Sequence, residues 1–159
     1  MRGFLGRLLP FRFGRGSRRV PTGWSIVSAV NDETGAAAVL RIRDSKPERD
    51  DVASLTAAIV IKWPYESDDP MPTPEVNERQ LRFETAIDPL SEENANSELA
   101  LVHTGMGVKE WTFYARDREV FMAELNGLLA DHPPYPIEIE LGDDPEWAIW
   151  ADFRHSYEK

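Results

Sequence analysis

Cysteine is absent from all 159 residues, which excludes disulfides, thiolate metal sites and cysteine nucleophiles. A chain without thiols suits a reducing cytoplasm, and that is where we expect it. Long apolar runs are missing too. Nothing approaches the roughly 20 residues that a membrane-spanning helix needs, and no apolar core precedes a small-residue cleavage site, so a secretory signal is not expected. Histidine is scarce: His103, His132 and His155 are scattered without ligand spacing, which argues against zinc. The acidic pairs Asp50–Asp51, Asp68–Asp69 and Asp143–Asp144 lack the alternating spacing and tight glycine turn of a calcium loop. No serine sits in a Gly-x-Ser-x-Gly elbow. No cofactor and no metal are expected.

The chain does carry an ordinary apolar content, 42%, with 5 Trp, 7 Phe and 4 Tyr to fill one core. Its charge is unevenly divided. The first 20 residues hold Arg2, Arg7, Arg12, Arg15, Arg18 and Arg19 and no acid. The net charge of −10 therefore resolves into +6 for this leader and −16 for the rest, 12 basic against 28 acidic residues. Such a body repels nucleic acid and anionic lipid and favours a protein partner with a basic surface. Residues 1–22 read as a basic leader, 23–153 as one domain and 154–159 as a frayed tail. In the leader, arginines alternate with Phe4, Leu5, Leu8, Leu9, Phe11 and Phe13. The pattern allows a short amphipathic helix over 2–9, ended by Pro10, that would anchor to a membrane surface or an acidic partner. A flexible tail loosened by Gly14 and Gly16 is the plainer reading.

The periodicity predicts a hairpin from strands at 24–30 and 36–43, joined by the turn residues Asn31–Gly35. A strand at 54–63 is apolar on both faces, as a central strand requires. After a proline-rich loop, Thr73, Pro74 and Glu75 mark a helix start. The helix should run from 74 to about 88, burying Val76, Gln80, Phe83 and Ile87. Strands at 99–104 and 109–115 flank a glycine-bearing turn. Asp117 should cap a helix over 118–130 with a stripe of Val120, Phe121, Leu125, Leu128 and Leu129. A strand follows at 135–142. Residues 143–153 read as either a helical turn or an edge strand. From residue 54 the order is βαββαβ, which predicts an α+β, ferredoxin-like two-layer sandwich preceded by an N-terminal β-hairpin.

Trp24, the run Gly107 with Glu110 to Tyr114, and Asp144-Pro145-Glu146-Trp147 resemble the bacterial domain of unknown function 695 family over residues 24 to 153. The resemblance implies the same fold and carries over no catalytic residue. In its small, acidic, ferredoxin-like design the chain is more distantly similar to the regulator of ribonuclease E activity B, which acts by binding an enzyme.

His103 is the best candidate acid–base group, at a strand end with Glu110 and Tyr114 on the facing strand. The plainer reading is a cross-strand polar pair on the solvent face. Trp147 and Trp150 are candidate binding anchors or core. The glycines at 105 and 107 precede a strand rather than a helix, which rules out a phosphate loop. Tyr114 could stack a base, but the acidic body argues against nucleic acid. The reading is an uncharacterised, non-enzymatic binding or regulatory module acting through protein–protein contact. Its contact would be the open face of the sheet or the C-terminal tryptophans. The alternatives are a small enzyme or ligand binder at His103, Glu110 and Tyr114, and peripheral membrane attachment by the leader.

Overall fold

The computed structural model describes residues 11–13, 18–20, 23–31 and 33–158. Its strands are β1 (Phe11–Phe13), β2 (Arg18–Val20), β3 (Trp24–Asn31), β4 (Ala37–Arg43), β5 (Ala57–Pro64), β6 (Ser97–Gly105), β7 (Val108–Ala115) and β8 (Glu138–Asp143). The helices are α1 (Pro74–Ile87), α2 (Arg118–Leu129) and α3 (Ala148–Glu158). The six longer strands form one antiparallel sheet in the order β3–β4–β6–β7–β5–β8. β1 and β2 pair one after the other along the outer edge of β3. The expected helix over 2–9 lies outside the described residues.

The chain is therefore α+β, but it departs from a four-stranded two-layer sandwich. The predicted hairpin β3–β4 extends the sheet: β4 bonds directly to β6, so backbone groups that would form an open edge are paired. Helices also lie on both faces rather than one. Ile59, Ile61, Trp63, Phe113 and Trp111 pack under α1 and α2 with Phe83, Ile87, Phe121 and Leu125. Ala58, Val60, Leu40, Ile42, Val27 and Tyr114 pack on the other face with Trp147, Trp150 and Phe153 of the C-terminal segment. β5 is apolar on both sides because each side meets a helical layer.

Local chemistry explains most boundaries. The Thr73 hydroxyl accepts from Val76 N at 3.3 Å, with Pro74 opening α1. The Asp117 carboxylate accepts from Glu119 N and Val120 N at 2.8 and 3.0 Å. Val120, assigned above to the buried stripe of α2, is instead exposed, while Phe121 and Leu125 are buried. The β6–β7 turn consists of Met106 and Gly107, both at positive φ (55° and 81°), as a tight hairpin requires.

Within segment 143–153, Asp143 ends β8 and α3 begins at Ala148; the helix runs to Glu158, through most of the expected frayed tail. Asp144 Oδ1 accepts from Ala148 N at 2.8 Å and Oδ2 from Ile149 N at 3.1 Å, satisfying two of the orphan donors at that helix end. Trp147, at φ 56°, turns the chain into the helix.

Candidate functional site

The register sets His103 directly opposite Glu110. Both are buried, at 5% and 7% exposure, so the pair lies inside the α3 face and not on the solvent face. The imidazole lies 5.9 Å from the Phe153 ring of α3. Tyr114 belongs elsewhere: it faces Glu98, four residues and so roughly 13 Å along the strand from Glu110. Its hydroxyl donates to Asp144 Oδ2 at 2.7 Å, and its ring stacks on Trp147 at 4.1 Å between centroids. Burial pushes the phenol well above its ordinary pKa, and the Asp144 carboxylate adds to the effect. Tyr114 is thus a strut between the sheet and the start of α3.

Trp147 and Trp150 share that core. Trp147 Nε1 donates to Leu55 O at 2.9 Å and Trp150 Nε1 to Arg43 O at 3.0 Å. At 1% and 8% exposure they offer little surface to a partner. Of the leader arginines, Arg12 lies in β1 and Arg18 and Arg19 in β2; Arg2, Arg7 and Arg15 lie outside the described residues.

An apolar concave site among the described residues is on the opposite face. Alternation along β3 and β4 sends Val27, Ala29, Leu40 and Ile42 under α3, while Ile26, Val30 and Val39 point the other way and are 36–40% exposed. α1 packs Phe83 on Trp63 of β5 and Trp111 of β7, and its Glu84 reaches Arg41 of β4. A groove of about 340 Å³ results. Its floor is Leu99, Trp111 and Phe113, its outer wall Trp24 and Ile26, and its inner wall Ile87 of α1.

A polar cluster holds one end of the groove. Glu84 Oε1 accepts from Trp111 Nε1 at 2.8 Å and from Arg41 Nη2 at 3.0 Å, and Lys109 Nζ lies at 3.3 Å. The Lys109 ammonium also sits 5.4 Å above the Trp111 ring. Burial lowers the lysine pKa, and the attraction of Glu84 offsets only part of that. Asp88, also on the groove, follows Glu84 by one helical turn.

A second, wholly polar depression is held by ion pairs. Arg49 bonds both Asp51 and Glu98, and Arg43 takes the other Glu98 oxygen at 2.8 Å. Arg43 Nε also bonds Leu99 O, and Arg49 bonds Ala95 O. These contacts bolt the 44–56 loop to the start of β6. Among the described residues no group of three His, Asp or Glu side chains is placed to hold a metal ion. No described helix is long and apolar enough to cross a membrane.

Arg41, Glu84, Lys109, Trp24 and Ile26 were not singled out from sequence as site residues. Only the alternation of β3, which puts Trp24 and Ile26 on one side, hinted at them.

These features define an α+β protein with one antiparallel sheet, helices on both faces and an apolar groove between the hairpin and α1. Residues 22–154 match the family of unknown function DUF695, and the chain belongs to that family. No curated protein and no solved structure matches the chain at a significant level.

Proposed function

We propose that this protein is a non-enzymatic binding or regulatory module that meets a basic surface of a protein partner at the open face of β3 and β4. The observation that carries the reading is the exposure of Ile26, Val30 and Val39 on one face of the hairpin, with Ile26 also lining the groove, since exposed apolar groups gathered on one surface mark an interaction site. The disposition of charge supports a basic partner. Of the 12 basic residues after the leader, seven (Arg41, Arg43, Arg49, Lys62, Arg82, Lys109 and Arg116) are engaged in ion pairs. Lys46, Arg79 and Arg154 lie over tryptophan rings. The acidic surplus is left to the surface, where it steers cationic surfaces inward.

The test is site-specific photo-crosslinking in a native lysate, with the crosslinker at Val39 or, as a control, at Glu124 on α2. The reading expects a basic protein joined from position 39 alone, with the yield falling as ionic strength rises. Equal capture from both positions, or capture indifferent to salt, would sink it.

A further inference from the structure

We infer that the open edge of β8 takes an added strand from a protein partner, an extended segment in which lysine or arginine alternates with an apolar residue. The inference goes beyond the reading above, for β8 ends the sheet on the side away from the β3–β4 hairpin.

The backbone supplies the docking row. Among the described residues β8 pairs with β5 alone. Asp144 N donates to Thr56 O at 2.8 Å, one step beyond the register pair Ala57 and Asp143, and this fixes the alternation of the antiparallel ladder. Gly142, Glu140 and Glu138 bond towards β5, while Asp143, Leu141 and Ile139 turn N–H and C=O outward. A strand laid beside them gains main-chain hydrogen bonds whatever its side chains.

The side chains select that strand. Ile137, Ile139 and Leu141 pack against the core under α1 and α2 but are only partly buried. Ile61 and Ile59, their partners Ile139 and Leu141 one strand further in, are fully buried. Apolar residues set opposite Ile139 and Leu141 would complete the cover. Glu138 and Glu140 alternate with these and face the other way. Lys62 lies opposite Glu138, yet its Nζ bonds Glu140 Oε1 at 2.6 Å, and exposed Glu138 makes no ion pair with a described residue. Cationic side chains opposite the two carboxylates are attracted to them.

The same glutamates exclude a second copy of the chain. Antiparallel self-pairing centred on Ile139 sets Glu138 of each copy against Glu140 of the other, and like charges directly opposite destabilise a sheet. Charge on an edge strand guards against such self-association and still admits a basic strand.

The experiment uses the full 15N-labelled chain and two capped pentapeptides of three lysines and two valines, alternating in KVKVK and not in KKVVK. Water-exchange NMR reads the Ile139 and Leu141 amides. With KVKVK at about ten times its dissociation constant these N–H groups should exchange about tenfold more slowly, since only the free fraction is open to solvent, and KKVVK should leave them unchanged. Leu141→Pro removes an outward N–H and no bond to β5, and it should abolish the preference for KVKVK. Glu138→Lys, at an exposed position, should weaken KVKVK severalfold and leave the β5–β8 pairing intact, as read from the β5 amide shifts. Equal slowing by both peptides, no slowing by either at millimolar concentration, or indifference to both variants overturns the inference. The Trp24 and Trp111 indole signals report the β3–β4 face separately, so failure at β8 leaves the reading above standing.

Discussion

Removing one oxygen from Tyr114 tests how the second helical layer is attached to the sheet. In Tyr114→Phe the ring keeps its stack on Trp147 at 4.1 Å, so packing is nearly unchanged. What goes is the 2.7 Å bond to Asp144 Oδ2 and the weaker 3.4 Å contact from Trp150 N. Asp144 keeps its bonds to Ala148 N and Ile149 N. A buried hydrogen bond to a charged group contributes about 1.5–3 kcal/mol, and that is the expected loss in urea denaturation. At a chain of this size it corresponds to a fall in Tm on the order of 3–10 °C. Asp144→Ala should cost more, roughly 2–4 kcal/mol, because it uncaps α3 and strands the phenol in the core. The two share one bond, so the double variant should be more stable than the sum of the single losses predicts, by about 1 kcal/mol or more. A Tyr114→Phe protein within about 0.5 kcal/mol of the parent, or strict additivity with Asp144→Ala, would refute the strut.

Glu84→Gln should destabilise by about 1–3 kcal/mol, since Lys109 then keeps a buried charge without its counter-ion. The deficit should shrink as pH rises towards the amine range, because a lysine whose folded pKa is lowered binds fewer protons folded than unfolded across that window; a pH-independent deficit in urea titrations would contradict it. Gly105→Ala should cost about 1–3 kcal/mol by overpacking, for its Cβ would lie 2.6 Å from Ala38 Cβ; thermal melts check this, and an unchanged Tm would show that β4 and β6 are looser than described. The Asp51 carboxyl is held below its usual range, chiefly by its hydrogen bond from Arg49, so its contribution is present above the ordinary carboxylate pKa and is lost as pH falls through that range. Asp51→Asn should accordingly flatten the acid limb of the stability curve; an acid limb identical to the parent's would remove Asp51 from the account.

Much of the local structure was legible because its causes are local. Thr73 and Asp117 cap the helices that follow them, and the alternation around Trp111 and Phe113 separates the two faces of β7 correctly. For residues 143–153 the sequence left a helical turn and an edge strand open, although Asp144-Pro145-Glu146 has the chemistry of a helix start; the helix over Ala148–Glu158 is the first of these, and longer than a turn. The burial of the His103–Glu110 pair was not legible, since it depends on a helix more than 40 residues downstream lying across the sheet. The groove was hidden for the same reason. Glu84 meets Arg41 and Trp111 from 43 and 27 residues away, and the groove brings Trp24 and Ile26 of β3 to Ile87 of α1 and Trp111 of β7. No local spacing encodes that approach.

The binding claim can be tested on the five tryptophans themselves. Two of them, Trp24 and Trp111, line the groove, while Trp147 and Trp150 lie in the core on the opposite face. In a 15N-labelled sample each indole N–H gives its own resonance. On addition of a capped peptide with four lysine and arginine residues around one tryptophan, KRWRK, the account predicts that the Trp24 and Trp111 indole signals shift while those of Trp147 and Trp150 stay in place. Movement of Trp147 and Trp150 with Trp24 and Trp111 unmoved would put the contact on the α3 face and contradict it.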